Sequence, residues 1–120
     1  MNVSGRGAEC RAYTSPMAYH FYKLLPPRAT FPGDITPEEA RVMAAHAVYW
    51  QDLVRQRQVL VFGPVFDPAG VYGMAVLRAE DDGVARQLAK KDPALVAHLG
   101  FSFELHPMPD AVALDELAAS

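Results

Sequence analysis

Residues 59–79 read VLVFGPVFDPAGVYGMAVLRA, and they give the clearest signal for the fold of this chain. It opens with an apolar, β-branched run, Val59–Phe62, that ends at Gly63-Pro64. Asp67-Pro68-Ala69-Gly70 has the composition of a hairpin turn, and a second apolar run returns from Val71 to Ala79. We therefore predict two antiparallel strands joined by a tight turn.

Helix signals stand on both sides of this hairpin. Upstream, Thr36-Pro37-Glu38-Glu39 combines a capping residue, a proline suited to the first helical position and the second half of a capping box, so we predict a helix to about Arg57. Downstream, Asp81-Asp82 caps a predicted second helix through Lys91. The spacing predicts buried faces formed by Met43, Ala47, Trp50 and Val54 in the first helix, and by Val84, Leu88 and the alanines Ala85 and Ala89 in the second.

Two further strands lie outside the helices. The aromatic run Tyr19–Leu25 stops at Pro26-Pro27, and the alternation after Phe101 places apolar and polar residues on opposite faces until Pro107. The resulting order, βαββαβ, is that of the ferredoxin-like fold. We predict an α+β domain with an antiparallel sheet and both helices on one face.

The first strand is apolar or aromatic on both of its faces. Its helix-free face is therefore expected to meet a second sheet rather than water. We predict a homodimer in which two sheets pack face to face.

Composition and charge limit the classes of partner. Eleven basic and fourteen acidic residues give a net charge of −3, and the basic residues form no stripe, which disfavours nucleic-acid binding. No apolar run approaches the ~20 residues that cross a bilayer, and the N-terminus lacks the apolar core of a signal peptide. We predict a cytoplasmic protein with no membrane partner.

The chain divides into three parts on composition. We expect a flexible leader at residues 1–16, a folded domain at 17–109 and a tail at 110–120. The single cysteine, Cys10, lies in the leader with no Cys or His cluster beside it. We predict a free thiol, no metal site and no cofactor.

His46 and Asp92 are the candidate catalytic residues. Imidazole changes charge near neutral pH, and a neighbouring carboxylate would orient the ring for proton abstraction or elimination, typically worth about 10²- to 10⁴-fold in rate. Structural roles explain the same residues: His46 as a hydrogen-bonded residue at the edge of the core, and Asp92 as the cap of a short turn that begins at Pro93.

Other residues are candidates for binding a substrate. Arg28 follows Pro26-Pro27 in a stiff loop, where a fixed guanidinium would grip a carboxylate or phosphate. His20 and Tyr22 share one face of the first strand, where they either line the same cavity or pack between two sheets. The predicted substrate-binding set is Arg28, His20, Tyr22, Trp50, Gly63 and Pro64.

With these residues placed, the sequence resembles the YCII-related family from about Tyr19 to Met108. Several short motifs in the right order carry the resemblance: Leu24-Leu25-Pro26-Pro27-Arg28, Thr36-Pro37-Glu38-Glu39, His46 with Tyr49-Trp50, Gly63-Pro64-Val65, Asp67-Pro68-Ala69-Gly70, Asp92-Pro93 and His106-Pro107-Met108.

The resemblance implies a ferredoxin-like fold of the dimeric α+β barrel type, similar in architecture to muconolactone isomerases. It also implies that His46 and Asp92 form an active-site pair. Family members linked to catalysis act on small ring compounds, including dehydrochlorination of chlorinated hydroquinones. This chain departs from shorter members in its leader and in the loop from Pro26 to Ile35.

Two functional hypotheses follow. One is a cofactor-independent acid–base enzyme, of lyase or isomerase type, that acts on a small cyclic or aromatic anionic compound. The other is a non-catalytic module that binds a small metabolite, or an accessory dimeric subunit in which the His–Asp pair serves only structure.

Overall fold

The computed structural model describes residues 18–114. The predicted leader with Cys10, and residues 115–120 of the predicted tail, lie outside this range. The elements run in the order β1 (Ala18–Leu25), α1 (Pro37–Arg55), β2 (Val59–Asp67), β3 (Gly70–Ala79), α2 (Asp82–Lys90), α3 (Pro93–Val96) and β4 (Ser102–Pro107).

The four strands form one antiparallel sheet with the order β2-β3-β1-β4. Tyr22, at the centre of β1, pairs with Ala75 of β3 on one side and with Leu105 of β4 on the other. This strand order places β3 between β2 and β1, which is the split βαβ arrangement. The predicted ferredoxin-like α+β fold is confirmed.

Helix α1 begins where the sequence predicts and buries a different face. The Thr36 side chain accepts a hydrogen bond from Glu39 N, the Glu39 carboxylate accepts one from Thr36 N, and the helix ends at Arg55. Trp50 and Leu53 are buried, whereas Ala47 and Val54 are exposed, so the predicted stripe is displaced. The helix face that carries His46 and Trp50 is directed at the buried carboxylate of Asp92.

The hairpin also differs from its prediction in one respect. Strand β2 does not end at Gly63-Pro64 but continues to Asp67, with Pro64 opposite Gly73 of β3. The proline is tolerated because β2 is an edge strand, where a missing N–H costs less than in the sheet centre. The turn itself forms as predicted, with Asp67 Oδ1 accepting a hydrogen bond from Ala69 N at 2.8 Å.

Helix α2 is capped by Asp81, whose side chain accepts from Val84 N. Its two alanines, Ala85 and Ala89, are fully buried, while Val84 is 38 % exposed. The prediction that Val84 faces inward is therefore wrong. Small side chains at the contact let the helix approach the sheet closely.

The core lies between one face of the sheet and the helices. It is formed by Tyr22, Leu24, Trp50, Leu53, Val59, Ala75, Leu77, Ala89 and Ala94. The opposite sheet face carries Phe21, Tyr72, Met74 and Val76, all half-buried. No helix within residues 18–114 has the length and apolarity needed to cross a membrane.

Candidate functional site

Asp92 is the centre of the site. It lies in the connection between α2 and α3 and is completely buried. Its side chain caps α3 by accepting a hydrogen bond from Ala94 N at 2.9 Å, so the predicted capping role is present. A buried carboxylate is tolerated only when its oxygens are well supplied with donors.

Three further donors reach Asp92 from other elements. Tyr22 of β1 donates its hydroxyl at 2.7 Å and Trp50 of α1 donates its indole N–H at 2.8 Å, both to Oδ2. His46 Nδ1 lies 2.9 Å from both carboxylate oxygens. The sheet, the long helix and the short helix therefore meet at one charged group.

The environment of Asp92 keeps it ionised. Burial alone would raise its pKa, but the hydrogen bond and charge of His46, together with the hydrogen bonds from Trp50 and Tyr22, outweigh burial and lower the pKa below its ordinary value. Burial and the Asp92 charge raise the pKa of Tyr22 far above its ordinary value, so Tyr22 remains a donor. Asp92 is therefore a carboxylate at neutral pH.

An ionised Asp92 fixes the tautomer of His46. Since a carboxylate only accepts hydrogen bonds, Nδ1 must carry a proton, and Nε2 of the neutral ring is then an acceptor. Nε2 has no hydrogen-bond partner within residues 18–114. The His46 side chain is 13 % exposed and lines a cavity. This is the geometry of a general base oriented from behind by a carboxylate.

The cavity has a volume of about 420 Å³ and is walled by α1, the β2–β3 hairpin and the loop between β1 and α1. Among the described residues, His46 contributes the polar side chain of its wall; Tyr72 borders the cavity from β3, with its side chain on the opposite sheet face beside Lys23. The other lining residues are apolar or glycine: Leu24, Pro26, Phe31, Pro32, Ile35, Met43, Ala47, Phe62, Gly63, Pro64, Phe66, Val71, Gly73 and Phe101. The cavity is thus an apolar chamber with an imidazole in its wall.

Comparison with known families identifies the chain. A family model of the YCII-related domain matches residues 17–109, which include every strand and helix described above. The chain belongs to the YCII-related family. A comparison with curated proteins finds no match. The family assignment agrees with the ferredoxin-like fold and leaves the reaction open.

The predicted site residues of this YCII-related protein fall into two groups at the cavity. Gly63 and Pro64 line the cavity together with His46. Tyr22 and Trp50 are 1 % exposed and do not line it. Both donate hydrogen bonds to Asp92 within the core. Sequence reasoning missed this supporting role, although buried tyrosine and tryptophan usually need a partner for their O–H and N–H groups.

His20 lies elsewhere on the same sheet face. It is 2 % exposed, and its Nε2 lies 2.6 Å from Oδ1 of Asp82, the first residue of α2. Neither alternative predicted from the sequence is met by His20: it does not line the cavity, and it packs against the helix on the covered face of the sheet and not between two sheets. Asp82 was not recognised as its partner, because an acidic residue in a first helical turn is sufficiently explained by the helix dipole.

Arg28 is held by two carboxylates of its own neighbourhood. Its guanidinium donates to both oxygens of Glu39 at 2.7 and 2.8 Å and from Nε to Asp34 at 3.0 Å. The hydrogen bond from Arg28 is the main cause that lowers the pKa of Glu39 to about 2. Arg28 does not line the cavity, and any external anion would have to replace these contacts.

The Arg28 cluster, defined as Arg28, Asp34 and Glu39, therefore braces the loop between β1 and α1. Four residues from this loop, Pro26, Phe31, Pro32 and Ile35, form one wall of the cavity. The sequence indicated Glu39 only as part of a capping box. Its contact with Arg28 forms only when the loop between β1 and α1 is folded. Within residues 18–114, no three His, Cys, Asp or Glu side chains are grouped so as to hold a metal ion.

Proposed function

We propose that this YCII-related protein catalyses proton transfer on a small ring-shaped organic molecule, without a cofactor. The observation that carries the proposal is the orientation of His46: Nδ1 is bound to a buried, ionised Asp92, and the ring lines an apolar cavity. Elimination and isomerisation are the reaction types that such a base serves, because each begins with removal of a proton.

In the proposed step, His46 Nε2 takes a proton from a C–H or O–H group of the substrate. The imidazolium that forms is stabilised by the Asp92 carboxylate, which stays ionised because its oxygens accept bonds from Tyr22, Trp50 and Ala94 as well. His46 then returns the proton to a different atom of the substrate or to a leaving group. In this scheme His46 is the catalytic residue and Asp92 positions it.

The test uses ring compounds that carry an acidic C–H or a leaving group, incubated with the full chain and followed by mass spectrometry. His46→Ala should lower kcat by about 10²- to 10⁴-fold. His106→Ala is the matched control, because His106 lies on β4 with an exposed side chain and should leave turnover unchanged. Equal turnover by both variants would refute the proposed role of His46.

A second function is favoured by the apolar walls of the cavity. A chamber with few polar groups suits retention of a small metabolite as well as its conversion. In this case His46→Ala would weaken ligand binding, and no substrate of the unmodified protein would be found.

We also propose that two chains associate through their helix-free sheet faces. Phe21, Met74 and Val76 lie together on this face and remain half-buried in one chain. Sedimentation at micromolar concentration should give twice the 13.1 kDa of the chain. Val76→Glu should produce monomers, while Val48→Glu, on the exposed side of α1, should not. A 13.1 kDa species for the unmodified protein would contradict the dimer.

A further inference from the structure

We infer that the molecule bound beside His46 is uncharged, apolar over most of its surface, and presents one hydroxyl or acidic C–H group to Nε2. This inference rests on the proposed function and adds the class of substrate. It replaces the anionic ligand that Arg28 suggested from the sequence with a neutral one. Three features of the cavity support it: the charges in its wall, the partners of the nearby cations and the aromatic side chains that line it.

The described residues give the cavity wall no positive charge. Within residues 18–114, no lysine, arginine, aspartate or glutamate lines the cavity, and Asp92 lies directly behind His46. With a neutral ring the His46–Asp92 pair has a charge of −1, and with a protonated ring its charge is zero. A carboxylate or phosphate that packs against these apolar walls would lose part of its water without gaining a net counter-charge, which is unfavourable.

Two cations next to cavity-lining residues have other partners. Arg28 is bound by Asp34 and Glu39, and Lys23 lies with its Nζ 4.5 Å from the centre of the Tyr72 ring. Lys23 also contributes to the lowered pKa of Glu104, its neighbour in β4, after the larger effect of the His106 hydrogen bond. Neither cation lines the cavity, so neither is placed to neutralise an anion there.

The walls suit a flat ring. Phe31 and Phe101 pack edge to face with centroids 5.3 Å apart and both line the cavity, as does Phe62. The volume of about 420 Å³ is in the range of small-molecule sites, roughly 300 to 1,000 Å³. A compound of one or two fused rings fits these dimensions and would bury its apolar surface against aromatic side chains.

Binding of an uncharged ligand is consistent with the proposed proton transfer to His46. When the ligand's O–H bond breaks, its proton forms an N–H bond at His46 Nε2 and the electron pair stays on the ligand oxygen. The new anion then lies beside the new imidazolium, and the total charge of ligand, His46 and Asp92 stays at −1. The negative charge is thus created next to a cation rather than transferred from water into an apolar chamber.

The inference is tested by calorimetric titration of the full chain with naphthol, methylnaphthalene and naphthoate, each substituted at the same ring carbon. Naphthol should bind at least about tenfold more tightly than either analogue, since only naphthol is both uncharged and able to donate to Nε2. His46→Ala should remove the advantage of naphthol over methylnaphthalene.

Two leucine substitutions locate the binding. Ala47→Leu adds volume beside His46 in the cavity wall and should weaken naphthol binding by about tenfold or more. Ala45→Leu is the matched control, because Ala45 is exposed on the same helix and does not line the cavity. Leucine is a good helix former, so both variants should fold.

The outcomes separate this inference from the proposed function. Naphthoate binding as tightly as naphthol, absence of naphthol binding, or equal effects of the two leucine substitutions would overturn the inference. Naphthol binding that depends on His46, combined with no turnover of any neutral ring compound, would support the ligand class and refute catalysis. If the protein turned over anionic compounds and His46→Ala abolished this turnover, catalysis would be supported and the uncharged ligand class would be refuted.

Discussion

Two His–Asp pairs lie on the same face of the sheet with opposite exposure. In the pair His46–Asp92 the carboxylate is completely buried and the imidazole lines a cavity. In the pair His20–Asp82 the imidazole is 2 % exposed and the carboxylate 77 % exposed. His20 Nδ1 is buried without a hydrogen-bond partner in the described part of the chain.

The two pairs differ in which partner is buried, and this decides whether a histidine nitrogen is accessible to a ligand. A buried, ionised Asp92 fixes the tautomer of His46 and leaves the ring's other nitrogen available to a ligand. A buried His20 offers no nitrogen to a ligand, and the exposed Asp82 is surrounded by water that screens its charge. The same two residue types thus give one candidate catalytic pair and one packing contact.

The largest predicted effect separates the two aspartates. Asp92→Ala should lower the free energy of unfolding by about 3 to 5 kcal/mol, because it leaves the buried donors of Tyr22, Trp50 and His46 without an acceptor. Asp82→Ala should cost about 1 kcal/mol, since its carboxylate is exposed. Urea denaturation followed by circular dichroism measures both. Equal losses would show that burial does not distinguish the pairs.

A smaller effect is predicted for one donor of Asp92. Tyr22→Phe removes a single hydrogen bond and should lower the free energy of unfolding by about 1 to 2 kcal/mol. Tyr72→Phe is the control, because the Tyr72 side chain lies on the opposite face of the sheet and its hydroxyl is outside the Asp92 network. The same urea titration applies. If both variants lose the same free energy of unfolding, the hydrogen bond from Tyr22 to Asp92 does not stabilise the fold.

Acid should weaken the buried pair. The folded pKa of Asp92 lies below its ordinary value of 3.8, so its stabilising contribution is complete above that pH and is lost as the pH falls toward the folded pKa. The difference in stability between the unmodified chain and Asp92→Asn should therefore shrink as the pH falls below 3.8. Urea midpoints measured from neutral pH downward give this difference. A constant difference would mean that Asp92 does not titrate differently on folding.

The smallest effect is predicted for His20. His20→Leu removes a bond to Asp82 and also removes a buried nitrogen that has no partner, and these changes oppose each other. The free energy of unfolding should change by less than about 1 kcal/mol. Thermal and urea unfolding of the variant provide the measurement. A loss of several kcal/mol would show that the His20–Asp82 contact stabilises the fold despite its exposed carboxylate.

Local sequence signals predicted the elements well. The capping box at Thr36, the turn at Asp67 and the alternation in β4 are short-range patterns, and each is present in the structure. The end of β2 was predicted wrongly, because Pro64 is tolerated only by virtue of the strand's position at the sheet edge. That position depends on the assembled sheet and not on neighbouring residues.

The site was predictable only in part, because some of its contacts also depend on the assembled fold. Residue chemistry and the family resemblance selected His46 and Asp92, and the structure brings them within hydrogen-bonding distance. Neither showed that His20 lies away from the cavity, since strand alternation does not say which helix covers a given histidine. The partners of Arg28 were also hidden, because Asp34 and Glu39 have ordinary local roles in a loop and a capping box.

Trp50 is the chain's single tryptophan, and its indole N–H is bound to Asp92. Its ring centre lies 6.4 Å from that of His46, so any change in the charge of the imidazole occurs beside the only indole. The protein therefore contains its own fluorescent reporter. Its emission should respond to ligand entry beside His46, without a label or a known substrate.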